Sequence, residues 1–488
     1  MTDMADSPLS IFSKIEDTYR PERESFDPAG YNDFVKEYDS FIHEFKWEEV
    51  RTACLQATEN TANPFLLVSG DLSGIQDTVY TISSKGALKS LRARSFMLEL
   101  LCEHCCYELL TGLLGNNTGY KQLRKHVVFS GGGRFCLLLP NKNFGKQIED
   151  FKKIINEWAF REFSGRLYVA IAGVIASAEE LKTPKDFADK WETLSAELEA
   201  EKHRKFSWKL ETIFSDRCVQ EPTLRTNEQE CQICHRDDLA LETDSPPMLL
   251  ERLRILAEED KLIRVLPPDE DITSNPELTI AHELCFQLFH LGDRLTKTGN
   301  DFLEIIRTRD HPNEENELGK NGFLTFPDFN NQNVYYCIGR SVQKEYILRV
   351  NAKPVDCPEN NCSPFYYASY VRRVSELPEA AQEVETQLYR IAHGKELHDP
   401  TTVTASFSGL AAAACGADFI GCARMDVDNL GQIFSPQGWG NSEDFTIDNL
   451  AQLSRLLNLF FKVFLDKICF AEIDEITDLT DKKYAATV

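Results

Sequence analysis

Between residues 61 and 178 the apolar positions change period four times, marking off five segments that predict the elements in turn. Phe65 to Val68 is a short apolar run ending at Gly70-Asp71, as a buried strand does before a turn. From Ala87 to Leu114, Leu88, Leu91, Phe96, Leu98, Leu101, Cys105 and Leu109 recur at helical spacing. Val127 to Phe129 and Phe135 to Leu139 flank Gly131-Gly132-Gly133, which predicts a hairpin whose glycines supply positive φ. Phe144 to Phe163 is a second amphipathic helix, with Ile148, Phe151, Ile154, Ile155 and Trp158 facing inward. Leu167 to Ile175 is a final strand. The order is βαββαβ, so the predicted class is α+β with a ferredoxin-like palm domain.

The pattern is less regular elsewhere. Residues 1–60 form an acidic, helical N-terminal segment with Phe34, Tyr38, Phe41, Phe45 and Trp47 at spacings near three and four. Residues 61–215 are the first palm plus a charged helix. Residues 216–300 hold paired Cys and His positions around an acidic, Pro-containing insert. Residues 301–404 are a mixed α/β connector with strand-like runs at Val334–Ile338 and Tyr346–Val350 and a charged helical stretch over 376–400. Residues 405–488 repeat the opening of the palm: a small-residue helix (Ala411–Ala414), a strand (Ile420–Val427) and a helix (Asn449–Cys469).

The repeat is visible in the motifs themselves. FLLVSGDLSGIQD (Phe65–Asp77) opens the first copy and FIGCARMDVDNLGQIF (Phe419–Phe434) opens the second. The first copy has a glycine hairpin without an acid on it, because Gly133 and Arg134 stand there. The second has acids on its strand. Carrying the Asp71-to-Gly131 spacing over to Asp426 puts the second hairpin at the end of the 488-residue sequence, so this palm is expected to be incomplete.

Composition narrows the class. A formal net charge of −25 excludes a protein that coats nucleic acid with its whole surface, but leaves room for a local basic groove. No run approaches the ~18 apolar residues of a membrane span. The first residues, MTDMADSPLSIFSKIEDTYR, lack the pattern of a secretory leader. An odd count of 15 cysteines then predicts reduced thiols in a cytoplasmic protein, some of them on metal.

Four constellations carry candidate chemistry. CQIC (Cys231–Cys234) and HELC (His282–Cys285) offer Cys231, Cys234, His282 and Cys285, a Cys₃His set suited to tetrahedral zinc. MDVDNLG (Met425–Gly431) puts Asp426 and Asp428 on one face of a strand end. Hard divalent cations favour such oxygens, although an Asp/Asn-Gly turn capped by its own side chains has the same sequence. SSKGALKSLRARS (Ser83–Ser95) carries Lys85, Lys89, Arg92 and Arg94 and no acid. Lys121, Arg124, Lys125 and His126 form a second basic cluster. Both clusters suit RNA phosphates, and both equally suit solvated helix faces pairing with Glu99 and Glu103.

GDLSGIQD, ISSKGALKSLRARSF, GGGRF, the paired Cys knuckles, and RMDVDNLGQIF followed by SRLLNLFFK together resemble the large signature subunit of type III CRISPR–Cas effector complexes. The resemblance runs from about residue 60 onward. It implies two palms with a zinc-binding module between them, and a subunit seated at the guide's 5′ handle. In that family the N-terminus often carries a His-Asp nuclease domain, and a Gly-Gly-Asp-Asp hairpin on the second palm makes cyclic oligoadenylates from ATP. Here His43 is not followed by Asp, His398-Asp399 lies in a charged linker, and the sequence holds no Gly-Gly-Asp-Asp. Asp426 and Asp428 match the first-strand half of that metal site. The expectation is therefore a structural subunit of an antiviral RNA-guided complex, with guide CRISPR RNA, target RNA and the handle-binding and backbone subunits as partners. It would have zinc as cofactor and no catalytic residue. The alternative is half of a split ATP- and magnesium-dependent cyclase completed by a second polypeptide.

Overall fold

The computed structural model describes residues 45–214 with short gaps at 61, 82–86 and 116–118. It then describes Cys231, Ile233 and Cys234, and most of 283–464, where the longest gap is 415–429. Asp426, Asp428, His282 and Lys85 therefore lie outside the described residues, as do strand Ile420–Val427 and most of the N-terminal segment.

The chain enters through α1 (Trp47–Ala57) and builds a four-stranded sheet from β1 (Phe65–Ser73), β2 (Val127–Gly131), β3 (Arg134–Pro140) and β4 (Tyr168–Ala176). The order is β2-β3-β1-β4, and every neighbouring pair is antiparallel. Helix α2 (Ala87–Leu114) joins β1 to β2, and α3 (Gly145–Phe163) joins β3 to β4.

Each central strand is buried on both faces, which explains continuous apolar runs in place of alternation. Leu66, Val68, Leu137, Leu139, Val169 and Ile171 face α2 and α3 in one core. Phe65, Leu67, Cys136, Leu138, Tyr168 and Ala170 face the other way. There they meet Val50 and Cys54 of α1 and Phe187, Trp191 and Leu194 of α4 (Pro184–His203).

Beyond α5 (Glu283–Arg294) lies a second sheet of β5 (Glu304–Thr308), β6 (Phe323–Pro327), β7 (Asn333–Ile338), β8 (Tyr346–Val350) and β9 (Cys362–Phe365), in the order β6-β7-β5-β8-β9. Its apolar face shares the first core: Phe326, Tyr336 and Tyr346 pack with residues of α2. Helix α2 thus lies between two sheets, so it is apolar nearly all round. Two of the polar side chains it buries deepest, Glu108 and His104, are paired. Glu108 Oε1 meets Arg307 Nη2 at 2.5 Å, and Glu108 Oε2 accepts from Phe329 N at 2.9 Å. His104 Nε2 lies 2.9 Å from the Pro327 carbonyl and Nδ1 3.1 Å from Tyr336 Oη. The neutral imidazole that donates to the carbonyl and accepts from the phenol satisfies both.

After α6 (Glu379–His393) and α7 (Phe407–Ala412) the chain returns to the first sheet through α8 (Ile447–Leu459), which a short π-helical turn extends over Phe460–Phe464. Among the described residues, no helix is long and apolar enough to cross a membrane.

Candidate functional site

The palm hairpin comes first. Gly131, Gly132 and Gly133 have φ of 154°, 63° and 82°, so the turn is built from conformations that favour glycine. A Cβ on Gly133 would come within 2.3 Å of Ile75 Cδ1, so the turn closes tightly on the end of β1. This brings Arg134 opposite Asp71 in the β1–β3 register. Asp71 Oδ2 lies 3.6 Å from Arg134 Nε and 2.8 Å from Lys202 Nζ of α4. Lys205 Nζ donates to Ser73 Oγ at 2.7 Å. The lone strand carboxylate is therefore neutralised by two cations. A divalent ion needs further oxygens, and the hairpin presents an arginine in their place.

The second copy of the palm sequence docks onto this sheet. Helix α8 runs along the edge strand β2: Arg455 Nη2 donates to the Val127 carbonyl at 3.2 Å and Asn458 Nδ2 to the Ser130 carbonyl at 3.1 Å. Side chains thus satisfy an edge that would otherwise recruit another strand. Lys462 Nζ meets Glu99 Oε2 of α2 at 2.7 Å. On the far face Trp439, Phe445, Ile447 and Leu450 enter the core beside Phe187, and Trp191 Nε1 donates to the Phe434 carbonyl at 2.7 Å. A cavity of about 70 Å³ remains beside the docked helix, with Glu103, Arg124, Phe129, Ser130, Arg455 and Lys462 in its wall.

The third place is a thiol cluster. Cys231, Cys234 and Cys285 are buried, and their sulfurs lie within 4.8 Å of one another. Ile233, Phe286 and Phe289 enclose them. Hydrogen bonding with the other two sulfurs, then burial, raises the Cys285 thiol well above its usual range. Three thiols converging in an apolar pocket suit a soft cation: tetrahedral zinc–sulfur bonds of about 2.3 Å put sulfurs roughly 3.8 Å apart. The residues present fit zinc, and sequence position offers His282 as fourth ligand.

The basic run does not project outward as a unit. Arg94 is buried; it donates to the Thr78 carbonyl at 2.8 Å and to Cys285 Sγ at 3.3 Å. Arg92 is half-buried and donates to the Gly292 carbonyl at 3.0 Å. These two arginines tie α2 to α5 and the thiol cluster. The second basic cluster also turns inward. Arg124 pairs with Glu103, Lys121 donates to the Cys357 carbonyl, and His126 is buried against the Leu138 carbonyl.

Sequence reading missed Lys202 as the partner of Asp71, because the pairing spans the whole palm. It also missed the Glu108–Arg307 and His104–Tyr336 pairs. Their signal was available: Glu103, His104 and Glu108 interrupt an otherwise apolar helix, and polar groups there must find partners.

With both sheets and the docked helix in place, the chain has a mixed α+β architecture. Residues 64–217 match the family model described as Csm1 subunit domain B. A curated relative from Methanocaldococcus jannaschii, "CRISPR system single-strand-specific deoxyribonuclease Cas10/Csm1 (subtype III-A)", is 29% identical over 446 residues, covering 86% of this chain and 46% of the relative. Its namesake from Enterococcus italicus is 37% identical over 183 residues, covering 37% of this chain and 22% of the relative. Among solved structures, an apo Csm1–Csm4 cassette superposes with a TM-score of 0.51 at 22% identity, covering 86% of this chain and 42% of that one. The likeness to the large subunit of type III CRISPR–Cas complexes, read from the motifs, therefore holds, and the curated relatives named here are Cas10/Csm1 proteins of subtype III-A. The chain spans less than half the length of these relatives.

Proposed function

We propose that the chain is a structural large subunit of a type III RNA-guided effector complex. The first sheet is its ferredoxin-like palm, and it serves as a platform rather than a catalytic centre. The observation that carries this is the Asp71 carboxylate held between Arg134 and Lys202, where a metal-using palm needs free acids. Docking of α8 on β2 makes the platform continuous with the second palm sequence. Zinc on Cys231, Cys234, Cys285 and His282 clips the insert between them. That metal is structural, and the chain's own part is to hold three thiolates in a dry pocket with Arg94 beside them. In this reading its partners are a handle-binding subunit, for which the Csm1–Csm4 cassettes offer a precedent, together with guide RNA with its 5′ handle and target RNA, and it works in the cytoplasm.

Co-expression of the chain with the handle-binding subunit and guide RNA, followed by size-exclusion chromatography, tests this. The expected result is one co-eluting ribonucleoprotein. Separate elution of the chain in the presence of both would overturn it.

A second reading keeps ATP and magnesium at Asp426 and Asp428, completed by a partner polypeptide. It is favoured by the anchoring of the segment after these acids onto the first palm through Trp191 and Phe434. Equilibrium dialysis with ATP and magnesium checks it, since binding lost in Asp426→Ala would establish the half-site.

A further inference from the structure

Every cysteine among the described residues is buried and unbridged; Cys54, Cys102, Cys105, Cys106 and Cys136 sit in the two main cores. Cys357 and Cys362 differ. They lie at the two ends of the CPENNC segment that leads into β9, and they share a small cluster with Ile347 and Ala352. Both are fully buried, while the three residues directly after Cys357 are exposed: Pro358, Glu359 and Asn360.

The two ends are held in place. Cys362 is in register with Ile347 across the parallel β8–β9 pair, and its N–H donates to the Glu359 carbonyl at 3.2 Å. The Cys357 carbonyl accepts from Lys121 Nζ, and the Asp356 carbonyl accepts from Arg349 Nη1. Arg349 is itself fixed by Glu304 at 3.0 Å and Glu359 at 3.2 Å. The two cysteine side chains belong to one buried cluster, and each is the main influence on the other's ionisation.

We propose that Cys357 and Cys362 are a disulfide-forming pair, oxidised by a small peroxide, with Cys357 as the attacking sulfur and Cys362 as the resolving one.

The assignment of roles follows from the surroundings. Lys121 and Arg349 donate to the Cys357 and Asp356 carbonyls, so both cations sit beside Cys357. Its thiol is lowered by Cys362 against burial and with help from Arg349 and Lys121, while Cys362 is raised by Cys357 and by burial. A thiolate beside cations is the nucleophile in thiol oxidation. The Cys357 thiolate attacks one oxygen of hydrogen peroxide, the O–O bond breaks, and a sulfenic acid and hydroxide result. Hydroxide takes the Cys362 proton to give water. The Cys362 thiolate then attacks the Cys357 sulfur, the S–O bond breaks and hydroxide leaves, reclaiming the proton Cys357 had given up. Overall, two thiols lose two electrons and one peroxide becomes two waters. The ring closes over the β8–β9 connection. Since the Cys357 carbonyl is held by Lys121, at the join of the two sheets, oxidation stiffens that join.

The test is cysteine mapping on the full chain. Reduced protein is exposed briefly to hydrogen peroxide, alkylated, digested and analysed by mass spectrometry. The Cys357–Cys362 disulfide is expected to form at least tenfold faster than any change at Cys54 or Cys136, which burial holds as thiols. In Cys362→Ser, dimedone should trap a sulfenic acid on Cys357, and in Cys357→Ser, Cys362 should stay unmodified. Oxidation of all cysteines at similar rates in the parent, or trapping on Cys362 in place of Cys357, would overturn the proposal. The parent measurement needs no variant, so a misfolded substitution does not remove the test.

Discussion

The neutral state of His104 makes a quantitative prediction about acid stability. Burial, followed by the nearby Arg307 charge, pulls the imidazole from 6.5 down to about 3. Both ring nitrogens are already satisfied in the neutral form by Pro327 and Tyr336, and Phe326 lies 4.9 Å away, centroid to centroid. Glu108 Oε1 is 3.8 Å from Nδ1 but is committed to Arg307, so it offers the ring no counter-charge. The sign follows from proton counts. Between about pH 3 and 6.5 the unfolded chain binds a proton at this position and the folded chain does not, so stability falls as pH drops through 6.5. Each pH unit below 6.5 costs about 1.4 kcal/mol, which gives about 3 kcal/mol at pH 4.5 relative to pH 7.5. His104→Gln removes the titration and keeps an N–H for the Pro327 carbonyl. Urea midpoints followed by tryptophan fluorescence are a suitable assay, because Trp158 packs edge-on against Phe326 at 5.0 Å. The parent should lose about 3 kcal/mol more than His104→Gln over this pH range. His126, also lowered by burial, titrates in both proteins and cancels. Equal pH slopes in the two proteins would refute the reasoning.

Other predictions concern the remaining sites. Metal analysis of purified protein should give about one zinc per chain, lost in Cys231→Ser/Cys234→Ser. Gly131→Ala puts a Cβ 2.2 Å from Asn458 Oδ1 and should break its bond to the Ser130 carbonyl, exposing β2 to faster amide exchange. Lys89→Ala should weaken RNA binding and reduce its salt slope by roughly one unit, whereas Arg94→Ala should lower thermal stability through loss of buried bonds. Asp71→Ala should leave any nucleotide-dependent activity unchanged, because that carboxylate is already spent on Arg134 and Lys202.

The four-stranded sheet and its helices were legible because the helices carry clear periodicity and the turn carries three glycines. The predicted helix Ala87–Leu114 has those bounds in the structure, and the strands after it shift by a residue or two. Strands Val334–Ile338 and Tyr346–Val350 were also readable, but their partnership with β5 and β9 was not, since pairing depends on contacts far apart in sequence. Of the four residues that spacing offered for zinc, Cys231, Cys234 and Cys285 meet in space, and His282 lies outside the described residues. Where the basic run points was not legible, because charge in a sequence carries no direction. Arg92 and Arg94 sit on a helix buried between two layers, and their charge serves backbone carbonyls and a sulfur. The Asp71 clasp needed Lys202 from a helix on the opposite face of the sheet, which no local pattern announces.

The central claim is that this chain works as the large subunit of an RNA-guided complex. Its most direct test is to recover the tagged chain from the cells that make it and sequence the RNA that comes with it. The account predicts short RNAs sharing one common 5′ handle, together with the handle-binding and backbone subunits. Recovery of the chain without such RNA and without those subunits would contradict it.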